Sequence, residues 1–325
     1  MPQTPVDATV VILTYNGEQY LDEILTAVEG QRFDGSVEIL VIDSGSTDAT
    51  LRIVKSHPAV RLHEIPNSEF GHGVTRNLAA QLSTGRFVLY LTHDAIPADE
   101  YWLAEMLKPF ELFPQVQGVL GRQLPRPNCV PILKYEINRV FETQGPEFGT
   151  TISYEDPAFE RNPGYGLPAR FYSDVNSAAR RDFLVNVIPY RDVSYAEDQL
   201  FGQDLLRSGA FKAYAARGAV VHSNDLTYRE YKKRLFDEVV GLRLSGVMPP
   251  PPPHGVRSFV RAVVLDPVDL VQDRDFSLAR KLYWLVVNPF YHLAKYRTVK
   301  RARRIDLANA EALQRGSLEA HRRSR

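Results

Sequence analysis

The chain has 325 residues and one cysteine, Cys129, so it has neither an internal disulfide framework nor a cysteine-rich zinc site. It also has no excess of charge of either sign, because 39 Lys and Arg residues balance 39 Asp and Glu residues, and this balance gives no support for a nucleic-acid partner. No apolar run reaches the roughly 20 residues that span a bilayer. The N-terminal residues lack the basic start and apolar run of a secretory signal. We therefore expect a cytoplasmic protein.

Two phosphate-binding sequence motifs are missing as well. No G-x-G-x-x-G motif opens a helix after the first predicted strand, which disfavours a dinucleotide-binding Rossmann site. No G-x-x-x-x-G-K-[ST] motif occurs either, which disfavours a nucleotide-hydrolysing phosphate loop. If the chain binds a nucleotide, it uses other residues.

Apolar runs with the spacing of strands alternate with helical patterns through the first 95 or so residues. Short buried strands that alternate with amphipathic helices are typical of a parallel, doubly wound α/β sheet with helices on both faces. The predicted strands cover 9–13, 37–42, 61–65 and 87–91, and the predicted helices cover 18–30, 47–56 and 74–82.

The rest of the chain is less regular. We predict a strand at 117–123, a helix at 132–141, a long loop at 143–170, a strand-like segment at 171–179, a helix at 195–208 and a strand that ends at 222. A basic amphipathic helix at 228–243 and a proline-rich spacer at 249–253 follow. These patterns predict a catalytic domain at 1–225, with a nucleotide-binding half at about 1–97 and an acceptor-binding half at about 98–225. A basic helical extension would occupy 226–325.

Asp94 follows the most apolar predicted strand, Phe87–Leu91, and is preceded by His93. In open α/β sheets, ligands bind at the carboxyl ends of the strands, so Asp94 is a candidate ligand for a divalent cation that holds a diphosphate. The alternative is a carboxylate that caps the next helix. His222, at the end of a later strand, could complete the metal shell or could be structural.

Two further polar groups follow predicted strands, Thr14–Asn16 and Asp43–Asp48. A carboxylate such as Asp43 can accept hydrogen bonds from a base N–H or a ribose hydroxyl, although it could instead cap the helix at 47–56. Asp48 is better placed to cap that helix, and we interpret it as structural.

Arg76 lies one turn into the helix that follows a glycine-rich loop, 70–73, which ends at Gly73. Such a helix start presents free N–H groups and positive potential, and Arg76 could add a bidentate contact to a phosphate or a base carbonyl. The alternative is a solvated surface arginine.

Glu197 and Asp198 open a predicted helix and include the best candidate for a general base. Successive helical side chains point about 100° apart, so one acid can pair with a cation while the other faces the cleft. A base that removes a proton from a sugar hydroxyl must be unprotonated and within hydrogen-bond reach. Acids that complement the helix dipole are the alternative.

Taken together, these segments resemble the family 2 glycosyltransferases, which are inverting enzymes with the GT-A fold, over about residues 7–240. The segments that carry the resemblance are VVILTYNGEQYL, LVIDSGSTDAT, GVTRNLAA, FVLYLTHDAIP and YAEDQLFGQDLLRSG. Within the family, FGHGVTRN, FYSDVNSAARR and HSNDLTYREYKKRLFD are similar to the bacterial rhamnosyltransferase branch.

The resemblance implies a role for each candidate residue. Asp198 would be the catalytic base, and Asp94, with His222 as an additional contact, would hold Mg²⁺ or Mn²⁺ on the diphosphate of a dTDP- or UDP-linked sugar. The nucleotide pocket would be lined by Thr14, Tyr15, Asn16, Asp43 and Arg76. The expected reaction is transfer of a sugar, L-rhamnose from dTDP-L-rhamnose in the best match, to a glycan or a lipid-linked acceptor.

Two features depart from the family pattern. Thr92 and His93 occupy the first two positions of the D-x-D motif, which leaves one carboxylate for the metal. The Q-x-x-R-W motif of processive members is absent, so Arg229, Lys233 or Arg234 would have to serve the diphosphate. We therefore expect one sugar to be transferred per acceptor visit.

Alternatives remain at this stage. A nucleotidyltransferase that forms the activated sugar shares the sheet and the metal, but usually has a glycine-rich basic loop where this chain has Thr14–Gly17. A non-catalytic module that binds sugar nucleotides is the second alternative. Residues 295–325, with ten Lys or Arg against three Asp or Glu, follow an aromatic segment and suggest docking on an anionic membrane, or else form an ordinary helical cap with a solvated tail.

Overall fold

The computed structural model describes residues 6–161, 163–224, 226–246 and 255–318. They form two compact units. The sheet unit comprises residues 1–124, 138–193 and 197–222, and the helical unit comprises residues 125–137, 194–196 and 223–325.

The described residues of the sheet unit form one mixed sheet. Its strands are β1 (Ala8–Thr14), β2 (Val37–Asp43), β3 (Val60–Glu64), β4 (Phe87–Thr92), β5 (Ile96–Pro97), β6 (Val116–Leu124), β7 (Thr150–Ser153), β8 (Asn176–Arg180) and β9 (Phe211–Val221). Their order is β3-β2-β1-β4-β8-β6-β9-β5, and β7 pairs with β9. The first four strands are parallel, as the sequence predicts. Beyond β4, strands β8, β5 and β7 run antiparallel to their neighbours.

Helices connect and cover these strands. In chain order they are α1 (Leu21–Glu29), α2 (Thr50–Ser56), α3 (His72–Leu82), α4 (Trp102–Leu112), α5 (Pro131–Glu142), α6 (Ala158–Arg161), α7 (Pro163–Arg170), α8 (Arg181–Asn186) and α9 (Glu197–Arg207). The apolar stripe of α1, which includes Leu21, Ile24 and Leu25, is fully buried in the core with β1 residues such as Val10 and Ile12. Burial of this amphipathic face, more than intrinsic helix propensity, stabilises a helix of this length.

The long loop predicted at 143–170 is wrong. The segment contains β7 and the helices α6 and α7. Its proline and glycine content concealed them, since β7 is defined by its pairing with β9, which is about 60 residues away in sequence. The strand-like segment at 171–179 is shorter than predicted, because β8 begins only at Asn176.

The helical unit contains the described helices α10 (Tyr228–Leu244), α11 (Gly255–Gln272), α12 (Leu278–Arg304) and α13 (Ala310–Gly316), together with residues 131–137 of α5. An aromatic cluster that includes Tyr135, Tyr231, Trp284 and Tyr291 fills its core. The N-terminus of α10 has a full capping box in which Thr227 and Glu230 satisfy each other's backbone N–H groups.

Two sequence predictions concern this part of the chain. The proline-rich spacer at 249–253 lies outside the described residues. The division into a catalytic domain and a C-terminal extension stays a prediction. Among the residues that the structure describes, no helix is both long and apolar enough to cross a membrane.

Candidate active site

The carboxyl ends of three parallel strands meet at one edge of the sheet. In the strand register, Thr14 at the end of β1 lies beside Asp43 at the end of β2, and Leu13 lies beside Thr92 at the end of β4. This confirms the prediction that the polar groups after these strands share an edge. Because β8 runs antiparallel to β4 with Asn176 opposite Leu91, the residues before Asn176 also lie beyond this edge.

The loops after β1 and β2 are joined by hydrogen bonds. The Asn16 N–H donates to Ser46 Oγ at 2.8 Å, and the Thr47 N–H donates to Asn16 Oδ1 at 2.9 Å. The Gly17 N–H donates to Thr50 Oγ1 at 2.8 Å. Asn16 has φ of 50°, a left-handed conformation that asparagine tolerates better than most residues. Asn16 therefore positions the loops, and its contact with a nucleotide stays a prediction.

Asp43 is fully buried and shapes its own turn. Its Oδ1 accepts the N–H groups of Gly45 and Ser46 at 2.9 Å each, and its Oδ2 accepts the Ser46 hydroxyl at 2.5 Å. Three donors leave few free lone pairs on this carboxylate. Asp48 accepts the N–H of Thr50, the first residue of α2, at 2.9 Å, as expected of a structural residue.

The loop after β1 packs closely against the residues after β4. A Cβ atom on Gly17 would lie 2.7 Å from Thr14 Oγ1 and 3.2 Å from His93 Cβ, so no side chain fits at this position. Thr14 Oγ1 is buried and has no hydrogen-bond partner among the described residues. Tyr15 is 46% exposed. These positions leave Thr14 and Tyr15 as candidates for ligand contact.

Asp94 and His222 face each other, as expected for a shared site. Asp94 Oδ2 lies 3.4 Å from His222 Nε2, and His222 Nδ1 lies 3.1 Å from Gln123 Oε1. Although burial raises the pKa of Asp94, its contacts with His222 hold that pKa well below the usual range. When Nδ1–H donates to Gln123, Nε2 of the imidazole carries a lone pair and, with Asp94, could serve as a ligand of a cation.

The donor set fits a hard or borderline divalent ion, since one carboxylate oxygen and one imidazole nitrogen are ligands that Mn²⁺ and Mg²⁺ sites accept. Among the described residues, no group of three His, Cys, Asp or Glu side chains could hold a metal ion. The remaining coordination positions would fall to phosphate oxygens and water, as is usual for Mg²⁺.

Arg76 is buried, so it is not a solvated surface arginine. Its Nη1 donates to Glu197 Oε1, and its Nε lies 3.0 Å from Asp174 Oδ2. The guanidinium also lies about 6 Å from the ring centres of Tyr90 and Tyr190. Arg76 is thus paired with two carboxylates, and its contact with a nucleotide stays a prediction.

Asp174 is a member of this cluster that the sequence did not single out. It precedes β8 and is buried, with Oδ1 accepting the Ser177 hydroxyl at 2.6 Å and the Tyr190 hydroxyl at 2.9 Å. Burial raises its pKa and the Arg76 charge opposes that rise. In the sequence, the one sign that Asp174 belongs to the site is its position just before a strand of small residues, and this sign is weak.

Asp198 lies in the same cluster at the start of α9. Its Oδ2 is 3.4 Å from the Asp174 N–H and its Oδ1 accepts the Gln199 N–H at 2.7 Å. Burial, with the negative charges of Glu197 and Asp174, raises the pKa of Asp198 to about 8. Glu197 differs, because burial raises its pKa but the charges of Arg76 and His72, together with hydrogen bonds, lower it by more. The pKa values of these two adjacent acids therefore shift in opposite directions, a pattern typical of sites that carry out acid–base chemistry.

The residue before α9, Ala196, has φ of 61°. A left-handed conformation at a residue other than glycine is strained, and such strain is concentrated at functional sites.

Gly73 has a packing role. A Cβ atom there would lie 2.3 Å from the carbonyl oxygen of Arg191, so the first turn of α3 depends on a glycine to approach that backbone.

Arg229 and Arg234 lie on α10 in the helical unit. Arg229 is exposed, and Arg234 Nη1 donates to the Tyr195 hydroxyl at 2.7 Å. Their contact with a diphosphate stays a prediction.

Comparison with known proteins agrees with this arrangement. The model of the family "Glycosyl transferase family 2" matches residues 9–187. The O-antigen chain rhamnosyltransferase RfbN of Salmonella typhimurium is 29% identical over 231 residues, and WbaN of Salmonella anatum is 31% identical over 232 residues; each alignment covers 70% of both proteins.

Solved structures show the same fold. The mannosyltransferase PcManGT from Pyrobaculum calidifontis, in complex with GDP-Man and Mn²⁺, superposes with a TM-score of 0.55 at 19% identity, over 92% of this chain and 88% of that one. S. aureus TarS in complex with UDP-GlcNAc gives 0.53 at 17% identity, over 95% and 79%.

The mixed sheet with polar strand ends at one edge is thus the GT-A architecture. The chain belongs to glycosyltransferase family 2 and is a glycosyltransferase.

Proposed function

We propose that the protein transfers L-rhamnose from dTDP-L-rhamnose to a glycan or lipid-linked acceptor, with inversion at the anomeric carbon. The names of the two Salmonella relatives support the sugar. The observation that carries the proposal is the place of Asp198 beside Asp174 and Glu197, both of which pair with Arg76, while Asp198 has no ion pair among the described residues. With a pKa of about 8, Asp198 becomes an unprotonated acceptor at slightly alkaline pH.

Asp198 takes the proton from the acceptor hydroxyl. The oxygen then attacks the anomeric carbon from the face opposite the nucleotide, the bond from that carbon to the diphosphate breaks, and the configuration inverts. Arg76 holds Glu197 and Asp174 in place, so that Asp198 is the acid of the cluster without an ion pair among the described residues. A positioned base of this kind contributes about 10²- to 10⁴-fold to the rate.

Asp94 and His222 would hold the divalent cation, Mg²⁺ or Mn²⁺, and Gln123 would fix the His222 ring. Such an ion, when bound, neutralises charge on the departing diphosphate. Two similar solved structures, PcManGT and the glucosyl-3-phosphoglycerate synthase of Mycobacterium tuberculosis, were determined with Mn²⁺, which supports this assignment.

Thr14, Tyr15, Asn16 and Asp43 would line the nucleotide pocket. Their place at the carboxyl ends of β1 and β2 supports the assignment. The exposed Tyr15 ring is suited to stacking on a base, and Thr14 Oγ1 retains its hydrogen-bonding capacity.

The test is donor turnover. Purified protein is incubated with Mn²⁺ or Mg²⁺ and a panel of sugar nucleotides that includes dTDP-rhamnose, and nucleoside diphosphate release is followed with and without EDTA. We expect metal-dependent release from dTDP-rhamnose that is lost in Asp94→Ala and Asp198→Asn, whereas the exposed Glu311→Gln serves as a control that retains it.

Other outcomes would identify the alternatives. Pyrophosphate release from a sugar phosphate and a nucleoside triphosphate would establish a nucleotidyltransferase. Binding of the donor with no turnover, and no effect of Asp198→Asn, would indicate a non-catalytic module. Release from a different donor would keep the transferase and change the sugar.

We further propose that α11 and α12 dock on an anionic membrane surface, where a lipid-linked acceptor would be found. Residues spaced by four along α12 are exposed and apolar: Leu278 (74%), Leu282 (58%), Val286 (67%) and Phe290 (58%). On α11, Val260, Val264, Val268 and Val271 are also exposed. The last turn of α12 carries Arg301, Arg303 and Arg304. An apolar stripe with nearby cations is typical of interfacial helices.

Cosedimentation with vesicles tests this surface. We expect binding to vesicles that contain anionic lipid, weakened by salt and lost in the double variant Leu282→Asp and Val286→Asp. Equal sedimentation with anionic and neutral vesicles, or no binding at all, would refute it.

A further inference from the structure

The helical unit contains a cavity of about 320 Å³ that the mechanism does not use. This is the lower end of the size range of ligand pockets, about 300–1,000 Å³, and suits one or two sugar rings. The lining residues are Leu133, Glu136, Asn224, Leu226, Tyr231, Arg234, Leu235, Glu238, Val239, Lys295 and Val299.

The charges that line the cavity balance. Lys295 forms an ion pair with Glu136. Arg234 donates to the Tyr195 hydroxyl at 2.7 Å. Burial raises the pKa of Glu238, and the Arg234 charge opposes that rise more than Lys295 does. Among the described residues, Glu238 has no hydrogen bond and no ion pair. Two cations and two carboxylates leave the cavity with no net charge, which argues against a phosphate as its occupant.

Tyr231 has an unused hydrogen-bonding group. The residue is 3% exposed, it lines the cavity, and its hydroxyl has no hydrogen-bond partner among the described residues. Buried polar groups in folded proteins are almost always hydrogen-bonded, so an orphaned hydroxyl in a cavity wall calls for a partner from a ligand or water.

The cavity combines these polar groups with apolar walls. Leu235, Val239 and Val299 offer carbon surface, whereas Tyr231 offers a buried hydroxyl without a partner among the described residues and Glu238 offers a partly exposed carboxylate. A purely apolar ligand would leave the polar groups unpaired, and an anion would meet two carboxylates. A neutral ring with hydroxyls on its edge and C–H groups on its faces matches both parts of the wall.

We propose that this cavity binds a neutral sugar unit of the glycan acceptor, with Glu238 and Tyr231 accepting and donating hydrogen bonds to its hydroxyls. This inference rests on the proposed function, since it assigns the site to the acceptor of that transfer. It makes the helical unit a determinant of which glycan is extended.

The experiment is saturation-transfer NMR on the full chain, with the methyl glycosides of rhamnose, galactose, glucose and mannose as probes. We expect at least one glycoside to bind, and about tenfold weaker binding in Tyr231→Phe, which loses a buried hydroxyl, and in Glu238→Gln, which replaces a charged acceptor with an amide. Glu311→Gln is the matched control on an exposed glutamate of the same unit. Thermal melts identify any variant that fails to fold.

The outcomes separate this inference from the proposed function. No saturation transfer to any glycoside, equal binding by Tyr231→Phe and Glu238→Gln, or displacement of a bound glycoside by inorganic phosphate would overturn it, even when the wild-type protein hydrolyses dTDP-rhamnose. Glycoside binding that depends on Tyr231 and Glu238, without turnover of any donor, would retain a sugar site in the cavity and reject the transfer.

Discussion

Replacing Arg76 with glutamine tests how the acidic cluster is held together. Arg76 is 5% exposed, and its guanidinium contacts Glu197 and, at 3.0 Å, Asp174. Two unit charges about 4 Å apart interact by about 4 kcal/mol at an effective dielectric constant of 20. Removing one partner of a buried ion pair costs about 3–5 kcal/mol in measured cases. We expect Arg76→Gln to lower the unfolding free energy by that amount.

The assay is chemical unfolding at several pH values. The Arg76 charge lowers the pKa of Glu197, so the stability that this pair contributes is present above the usual pKa of a glutamate and is lost as the pH falls through the lowered value. The destabilisation by Arg76→Gln should therefore be largest near neutral pH and smaller in acid, where the carboxylates are neutral.

A second substitution, Asp174→Asn, tests the same cluster. In the double variant Arg76→Gln and Asp174→Asn, one of the uncompensated carboxylates is gone, so we expect part of the lost stability to return. A loss below about 1 kcal/mol in Arg76→Gln, or exact additivity of the two substitutions, would refute the view that Arg76 neutralises this cluster.

Arg76 also opposes the rise in the pKa of Asp198. Without the guanidinium, that pKa rises further, and the pH at which the transfer rate becomes half-maximal should move to more alkaline values. A pH–rate profile identical to that of the wild-type protein would argue that Asp198 is not the base.

Three further predictions follow from the same structure. Asp198→Asn should lower the transfer rate by about 10²-fold or more and remove the rise in rate with pH that a base with a pKa of about 8 produces; pH–rate profiles of both proteins check this. Burial lowers the pKa of Lys212 to about 7. Between about pH 7 and 10 the unfolded chain keeps the Lys212 proton and the folded chain does not, so the unfolding free energy should rise with pH over this range. Chemical unfolding at several pH values should show this rise in the wild-type protein and not in Lys212→Met. Gly17→Ala places a Cβ atom 2.7 Å from Thr14 Oγ1 and should cost about 1–3 kcal/mol and weaken donor binding, whereas Gly71→Ala, whose nearest neighbour would be 3.7 Å away, should be tolerated; thermal melts and donor titration compare the two.

The first half of the fold could be predicted because its signals are local. The strands at β1, β2 and β4 are almost continuously apolar, since both faces of a parallel sheet are covered by helices. Strands of a parallel sheet run in the same direction, so the residues that follow them lie at the same, carboxyl-terminal edge of the sheet. The positions of Asp43 and Asp94 relative to Thr14 followed from this argument without any tertiary information.

The second half was harder to predict because its strands depend on distant partners. The four residues of β7 are half-buried and take their strand conformation from β9. Strand preference depends strongly on such pairing, which a single sequence does not reveal. The sequence therefore suggested a loop where the structure has a strand and two helices.

The burial of Arg76 explains why its environment was not predicted. The sequence allowed Arg76 to be either a phosphate ligand or a solvated residue, because an arginine one turn into a helix is usually exposed. It is buried because Glu197 and Asp174, separated from it by about 100 residues or more in the chain, converge on it in the fold. An ion pair between residues so distant in the chain forms only in the folded protein, so the sequence alone did not predict it.

The same compensation explains why Glu197 and Asp198 are not interchangeable. Their side chains leave α9 about 100° apart, so only one of them can meet the guanidinium of Arg76. Glu197 meets it, and its pKa falls. Asp198 is buried, with two like charges nearby and no ion pair among the described residues, so its pKa rises to about 8. Exchanging the two residues should therefore change the pH–rate profile although the number of carboxylates is unchanged, because an Asp at position 197 is one methylene shorter and weakens the pair with Arg76.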